Sequence, residues 1–78
     1  MTIVERFGRN VSAARKFVQI SQSDLAREAG IDPSYVSLIE SGKREVGIET
    51  AGRIAAALQV SLGHLLTGQP FTGEGEKP

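Results

Sequence analysis

Residues 21–45 read "SQSDLAREAGIDPSYVSLIESGKRE" and contain two short helical patterns separated by a single glycine. Ser21 followed by Asp24 is a capping-box pattern, in which hydroxyl and carboxylate each serve the other residue's backbone N–H. Ile20 just before the cap and Leu25 in the first turn are placed to form a hydrophobic staple. The first helix of the pair therefore starts after Ser21 and ends at Ala29, with Gly30 suited to a left-handed C-terminal conformation. The second helix starts at once. Asp32 is its N-cap, and Pro33 takes the first helical position, where a missing N–H costs nothing. Gly42 ends it, and Lys43 and Arg44 suit its negative C-terminus.

Two helices joined by so short a glycine-containing turn meet at a steep angle, as in a helix-turn-helix unit. Close crossing needs a small side chain where the helices touch, and Ala26 supplies one. Leu25, Ile31, Val36 and Ile39 supply apolar contacts that fix the angle.

Outward from this unit the helical period continues. Val4, Phe7, Val11, Ala14 and Val18 recur at spacings of three and four, predicting a helix over 3–18 with Arg6, Arg9, Arg15 and Lys16 on its other faces. Gly8 weakens that helix by about 1 kcal/mol relative to alanine unless a partner packs close there. Ile48, Ala51, Ile54, Ala55 and Leu58 place one apolar face on a helix over 48–58. Val60 links it to a short helix capped by Ser61 and running to about Leu66. No strand-like alternation and no internal repeat is seen, so the expected fold class is all-α, one domain over residues 1–68. Residues 69–78, rich in Gly, Pro and Glu, read as a disordered tail.

Composition narrows the chemistry. The 78 residues contain no cysteine, so no disulfide, thiolate metal site or thiol nucleophile is available, and His64 alone cannot build a metal cluster. No apolar run is long enough to span a membrane and the start lacks a secretory pattern, so a cytoplasmic protein is the default expectation. No nucleophile–base pair or glycine-rich phosphate loop points to an enzyme, and no cofactor is implied. Lys plus Arg and Asp plus Glu number nine each, for a formal charge of zero. Residues 1–68 alone carry eight basic and seven acidic groups, and a nucleic-acid face needs only a local excess.

The stretch "SQSDLAREAGIDPSYVSLIESGKR", the Phe7–Gly8 start and "AGRIAAALQVSLGHLL" together resemble the phage-repressor or Cro-like (Xre) helix-turn-helix family over residues 5–68. Within it the small restriction–modification controller proteins look most similar, through "IDPSYVS" and the absence of a second domain. The resemblance implies a five-helix, lambda-repressor-like DNA-binding domain. Its recognition helix, Pro33 to Ser41, would lie in the major groove of double-stranded DNA. Val36 and Ile39 would face the core, leaving Pro33, Ser34, Ser37, Leu38 and Ser41 outward. Ser34 and Ser37 hydroxyls can donate to or accept from base edges, and Pro33 and Leu38 can touch a thymine methyl.

The resemblance assigns Gln22 to a phosphate, with help from backbone amides at its helix start. Tyr35 reads equally as a phosphate contact through its hydroxyl or as half-packed core. Lys43 and Arg44 fall where phosphate or an adjacent groove would lie; Gly47, Ile48 and Glu49 could add amide contacts, although the Glu49 carboxylate repels phosphate. Arg15 and Glu40 match a structural ion pair of the family. Leu62, Leu65 and Leu66 exceed what so small a core can bury, which points to a homodimer through the last helix and a pseudo-palindromic operator. The expected function is transcriptional regulation, including of its own promoter, by repression or by contact with RNA polymerase. The alternative is a protein-interaction module on the same scaffold, an antitoxin or a coactivator. His64 reads as a surface residue without a role. Phe17 stays open between an extra core contact and a partner-facing patch.

Overall fold

A computed structural model describes residues 1–68, which form five helices: α1 (Ile3–Val18), α2 (Gln22–Ala29), α3 (Pro33–Glu40), α4 (Ile48–Leu58) and α5 (Leu62–Thr67). The tail expected over 69–78 lies outside the described residues.

Local chemistry sets the boundaries. Thr2 and Glu5 form a capping box on α1, with the Glu5 N–H donating to Thr2 Oγ1 at 3.1 Å and the Thr2 N–H to Glu5 Oε1 at 2.9 Å. Ser21 and Asp24 do the same for α2. Asp32 caps α3, with Pro33 in its first turn. Ser61 accepts the His64 N–H to open α5, whereas Gly47 starts α4 with no side-chain bond. Gly30 and Gly42 end α2 and α3 in the left-handed region, at φ 73° and 76°. Ser41, expected inside the recognition helix, is the residue just past its end.

The core is assembled from one face of each helix. Phe7, Val11 and Ala14 of α1 meet Leu25, Ala26 and Ala29 of α2, Val36 and Ile39 of α3, Ala51, Ile54, Ala55 and Leu58 of α4, and Leu65 of α5. Helix α1 packs against both α3 and α5, while α2 packs against α3 and α4. Apolar burial of this kind contributes about 25 cal/mol per Å² removed from water.

Two positions on α1 explain how it holds its neighbours. Gly8 is buried where α1 crosses α3. A Cβ there would collide with the Ile39 carbonyl oxygen and lie 3.2 Å from that of Glu40. The glycine inside the helix is therefore a close-approach residue. Asn10, 2% exposed, sits on the apolar side of α1 and reaches α5. Its Nδ2 donates to the carbonyls of Leu65 at 3.1 Å, Gly68 at 3.0 Å and His64 at 3.3 Å, the last of which also accepts the Gly68 N–H at 2.7 Å, so one side chain of α1 holds the end of α5.

Three residues depart from the expected faces. Val18 is 42% exposed, because α1 outruns the core by its last turn. Ile48 is 81% exposed: it lies in the first turn of α4, beyond the stripe that starts at Ala51. Leu65, assigned above to a dimer face, is fully buried in the core, so it has no surface to offer a partner.

Two outcomes follow for stability. Gly8→Ala gains about 1 kcal/mol of helix propensity, but forces apart a backbone contact at a cost of about 1–3 kcal/mol or more. Urea unfolding should therefore show a net loss, and a stabilised variant would mean that the α1–α3 crossing is looser than described. Hydrogen bonds from Arg27 and the Ser21 N–H hold the Asp24 carboxyl below its ordinary pKa, and bonds from Ser34 do the same for Asp32. Their stabilisation is complete above the ordinary carboxylate value of about 4 and is lost as pH falls through the lowered values. The double variant Asp24→Asn, Asp32→Asn should flatten the dependence of melting temperature on pH below about pH 4.

Candidate nucleic-acid interface

Val36 and Ile39 turn into the core, so the opposite side of α3 is bare: Pro33, Ser34, Ser37 and Ser41 are exposed and Leu38 is half-buried. The surface is polar and small, so backbone or bases can approach it closely. Ser34 Oγ is already engaged. It donates to Asp32 Oδ1 at 2.7 Å, while the Ser34 N–H reaches the same oxygen at 2.9 Å. Ser41 Oγ donates to the Leu38 carbonyl at 3.0 Å.

The glutamate of this helix is turned away from that exposed side. Glu40 Oε2 accepts from Arg15 Nε at 2.7 Å, and its Oε1 from Arg15 Nη2 at 3.1 Å. Only 13% of the Arg15 side chain and 8% of the Glu40 side chain are exposed. The fork is bidentate, the strong geometry for a guanidinium and a carboxylate. The hydrogen bond to Glu40 raises the Arg15 pKa further above its ordinary value. Arg15 Nη1 also donates to the Ile20 carbonyl, which ties the pair to the start of α2.

Gln22 joins the same network. Its Nε2 donates to Glu40 Oε1 at 3.0 Å, which leaves one amide N–H for a phosphate. Glu40 thus orients the side chain assigned to the DNA backbone.

The loop after α3 carries the cations. Lys43 and Arg44 are exposed, and the Arg44 guanidinium lies over the Tyr35 ring, 5.7 Å from its centroid, in cation–π geometry. Tyr35 is half-buried against the core, and its hydroxyl donates to the Glu45 carbonyl at 3.3 Å. A phosphate would have to displace that bond, so in this structure Tyr35 braces the loop. Glu49 pairs with Arg53 at 3.3 Å, and Arg53 Nε donates to the Ala29 carbonyl at the end of α2. The carboxylate at the start of α4 is thereby partly offset.

A second surface lies on the side of α4 and α5. Leu62 and Leu66 line an apolar groove with Ile3, Val4, Val46 and Ile48. Ile3 is 58% exposed, and with Ile48 it extends the surface beyond the α5 leucines. Sequence reasoning misses both: at a helix start, periodicity cannot tell a core position from a rim. Phe17, 52% exposed, is not a core residue.

The helix-turn-helix family model matches residues 11–65. The chain belongs to that family of DNA-binding transcriptional regulators. Within it the similarity to restriction–modification controllers is close. A control protein of Serratia marcescens, C.SmaI, is 34% identical over 95% of this chain and 88% of its own length. The crystal structure of the restriction–modification controller C.AhdI from Aeromonas hydrophila superimposes with a TM-score of 0.77 at 32% identity, covering 80% of this chain and 94% of that one. The P22 c2 repressor, solved in complex with a synthetic operator, superimposes with a TM-score of 0.77 at 30% identity over 81% of this chain and 96% of its own. Among the described residues no helix is long and apolar enough to cross a membrane.

Removing one partner of the buried pair leaves a desolvated charge. Glu40→Ala should destabilise the domain by about 3–5 kcal/mol in chemical denaturation, and Arg15→Ala by a similar amount. A loss below about 1 kcal/mol for both would place the pair among exposed salt bridges.

Proposed function

We propose that this protein is a homodimeric, sequence-specific regulator of the controller type that binds a pseudo-palindromic operator at its own promoter. The observation that carries the reading is the exposed side of α3, with Pro33, Ser34, Ser37 and Ser41 bare while Arg15 neutralises Glu40 behind them. The N-terminal part of such a helix faces base edges in the major groove. Gln22, Lys43 and Arg44 flank it as phosphate contacts, which fix register without reading sequence. Ser37 and the apolar edges of Pro33 and Leu38 contribute to base reading.

The groove lined by Leu62, Leu66, Ile3 and Ile48 supports the dimer, since Ile3 and Ile48 are exposed in the monomer and Leu62 and Leu66 only partly buried. A two-fold pair spaces its recognition helices about 34 Å apart, one turn of DNA. Bound over a promoter, the dimer excludes RNA polymerase; bound upstream, it has RNA polymerase as a contact.

Fluorescence anisotropy with DNA from upstream of its own gene tests the reading. Affinity should fall steeply with salt, by a log–log slope of about −0.9 per neutralised phosphate. Lys43→Ala should weaken all sequences alike and make the slope shallower by about 1, whereas Ser37→Ala should relax sequence preference. Absence of salt-sensitive binding at low salt would overturn the assignment. In sedimentation experiments Leu66→Glu and Ile48→Glu should yield folded monomers that bind the operator weakly; dimers that persist in both would move the interface elsewhere.

A further inference from the structure

The geometry points to a base-class preference built into the start of α3: Asp32 and Ser34 present only hydrogen-bond acceptors to the major groove, and so select an exocyclic amino group, cytosine N4 or adenine N6, at one position of each half-site. This inference rests on the regulator reading above and specifies what its recognition helix reads.

The N–H groups of the first turn of the helix are consumed internally. Pro33 has no N–H. The Ser34 N–H donates to Asp32 Oδ1 at 2.9 Å. Those of Tyr35 and Val36 donate to the Asp32 carbonyl at 2.9 and 3.3 Å. A serine hydroxyl has one proton and two lone pairs, and an ionised carboxylate has no proton at all. In the 2.7 Å contact between Ser34 Oγ and Asp32 Oδ1 the proton must therefore come from Ser34. What Ser34 turns outward is a lone pair. Both bonds land on Oδ1, so Oδ2 of the exposed Asp32 keeps its lone pairs for a further donor. The same bonds hold Asp32 below the ordinary carboxylate pKa, so it is ionised at neutral pH.

The start of a helix usually offers N–H groups to an anion. Here it offers oxygen. In the major groove each base pair has one amino donor, on cytosine in G·C and on adenine in A·T, and carboxylates pair with cytosine N4. An acceptor surface therefore reads which strand carries the amino base. Guanine O6 or thymine O4 at that position would set lone pair against lone pair. Ser37, one turn on, makes no bond to a carboxylate among the described residues, so its hydroxyl can turn either way and carries no such bias.

The test is selection of binding sites from a random duplex pool by the wild-type dimer, Asp32→Asn and Ser34→Ala. Asparagine is as good an N-cap as aspartate, so Asp32→Asn keeps the helix start while adding an amide donor; circular dichroism melting confirms that it folds. The wild type should enrich A or C over G or T by about tenfold at one position per half-site, in line with the usual effect of one mismatched base pair. In Asp32→Asn that preference should collapse or turn toward G or T, with the remaining positions unchanged, and Ser34→Ala should weaken it. Replacing the selected base by its analogue lacking the amino group, 2-pyrimidinone or purine, should weaken the wild type about tenfold and Asp32→Asn much less. Enrichment of G or T under the wild-type protein, or a site logo unchanged in Asp32→Asn, overturns the acceptor assignment and leaves the regulator reading standing. Failure to enrich any sequence overturns both.

Discussion

The seam between α1 and α3 fixes the end of α3 while its opposite side stays bare. At one end Gly8 lets the α1 backbone meet the carbonyls of Ile39 and Glu40 at contact distance. Two turns along α1, Arg15 grips the Glu40 carboxylate from both sides. Both contacts fall on the last two residues of α3, so moving that end would break a close backbone packing or unpair a buried charge, and either is expensive. Ser37, small and exposed, is carried by a helix whose other side is fixed, and Ser34 is held in addition by Asp32. The network also extends to Gln22, so one carboxylate anchors both the end of α3 and the first side chain of the helix beside it.

Ion pairing offsets part of the acidic charge of a chain whose formal charge is zero. Glu40 is enclosed by Arg15, Asp24 accepts from Arg27 and from Ser21, and Glu49 lies beside Arg53. The cations of the loop after α3 stay exposed, and Arg44 is held over an aromatic ring. The exposed pairs contribute little to stability. Their effect is on the local field, which is what an approaching phosphate feels.

Much of the fold can be read from residues because the boundary signals agree with one another. Ser21 with Asp24, Asp32 with Pro33, and the two glycines at φ > 0 each specify a local geometry, and α2 and α3 begin where those signals fall. The ends of α1 and α4 fall at Val18 and Leu58, where the apolar spacing puts them, although the residues that follow, Gln19 and Gln59, take left-handed conformations that favour glycine. Ile48 and Leu65 show the limit of periodicity. Both lie on apolar stripes, yet one is bare and the other fully enclosed, because burial depends on which neighbour crosses at that height. At the interface, outward placement of Ser34 follows from helical spacing, but its commitment to Asp32 requires coordinates: a hydroxyl's proton has no sequence signature. Asn10 does carry a signal in the sequence, as a polar residue three positions after Phe7 on the apolar side of α1.

Asn10 gives α1 a further role. The same helix that carries α3 through Gly8 and Arg15 also holds the end of α5 through three carbonyls. In a dimer joined through α5, the path from the two-fold axis to each reading head would run along this one helix, 16 residues and about 24 Å long. Such a helix is a stiff ruler. The protein would then have little freedom to follow a half-site shifted by a base pair, and the mismatch would pass to the DNA as twist or bend. Spacer length and spacer stiffness would become part of the operator, although no side chain touches the spacer.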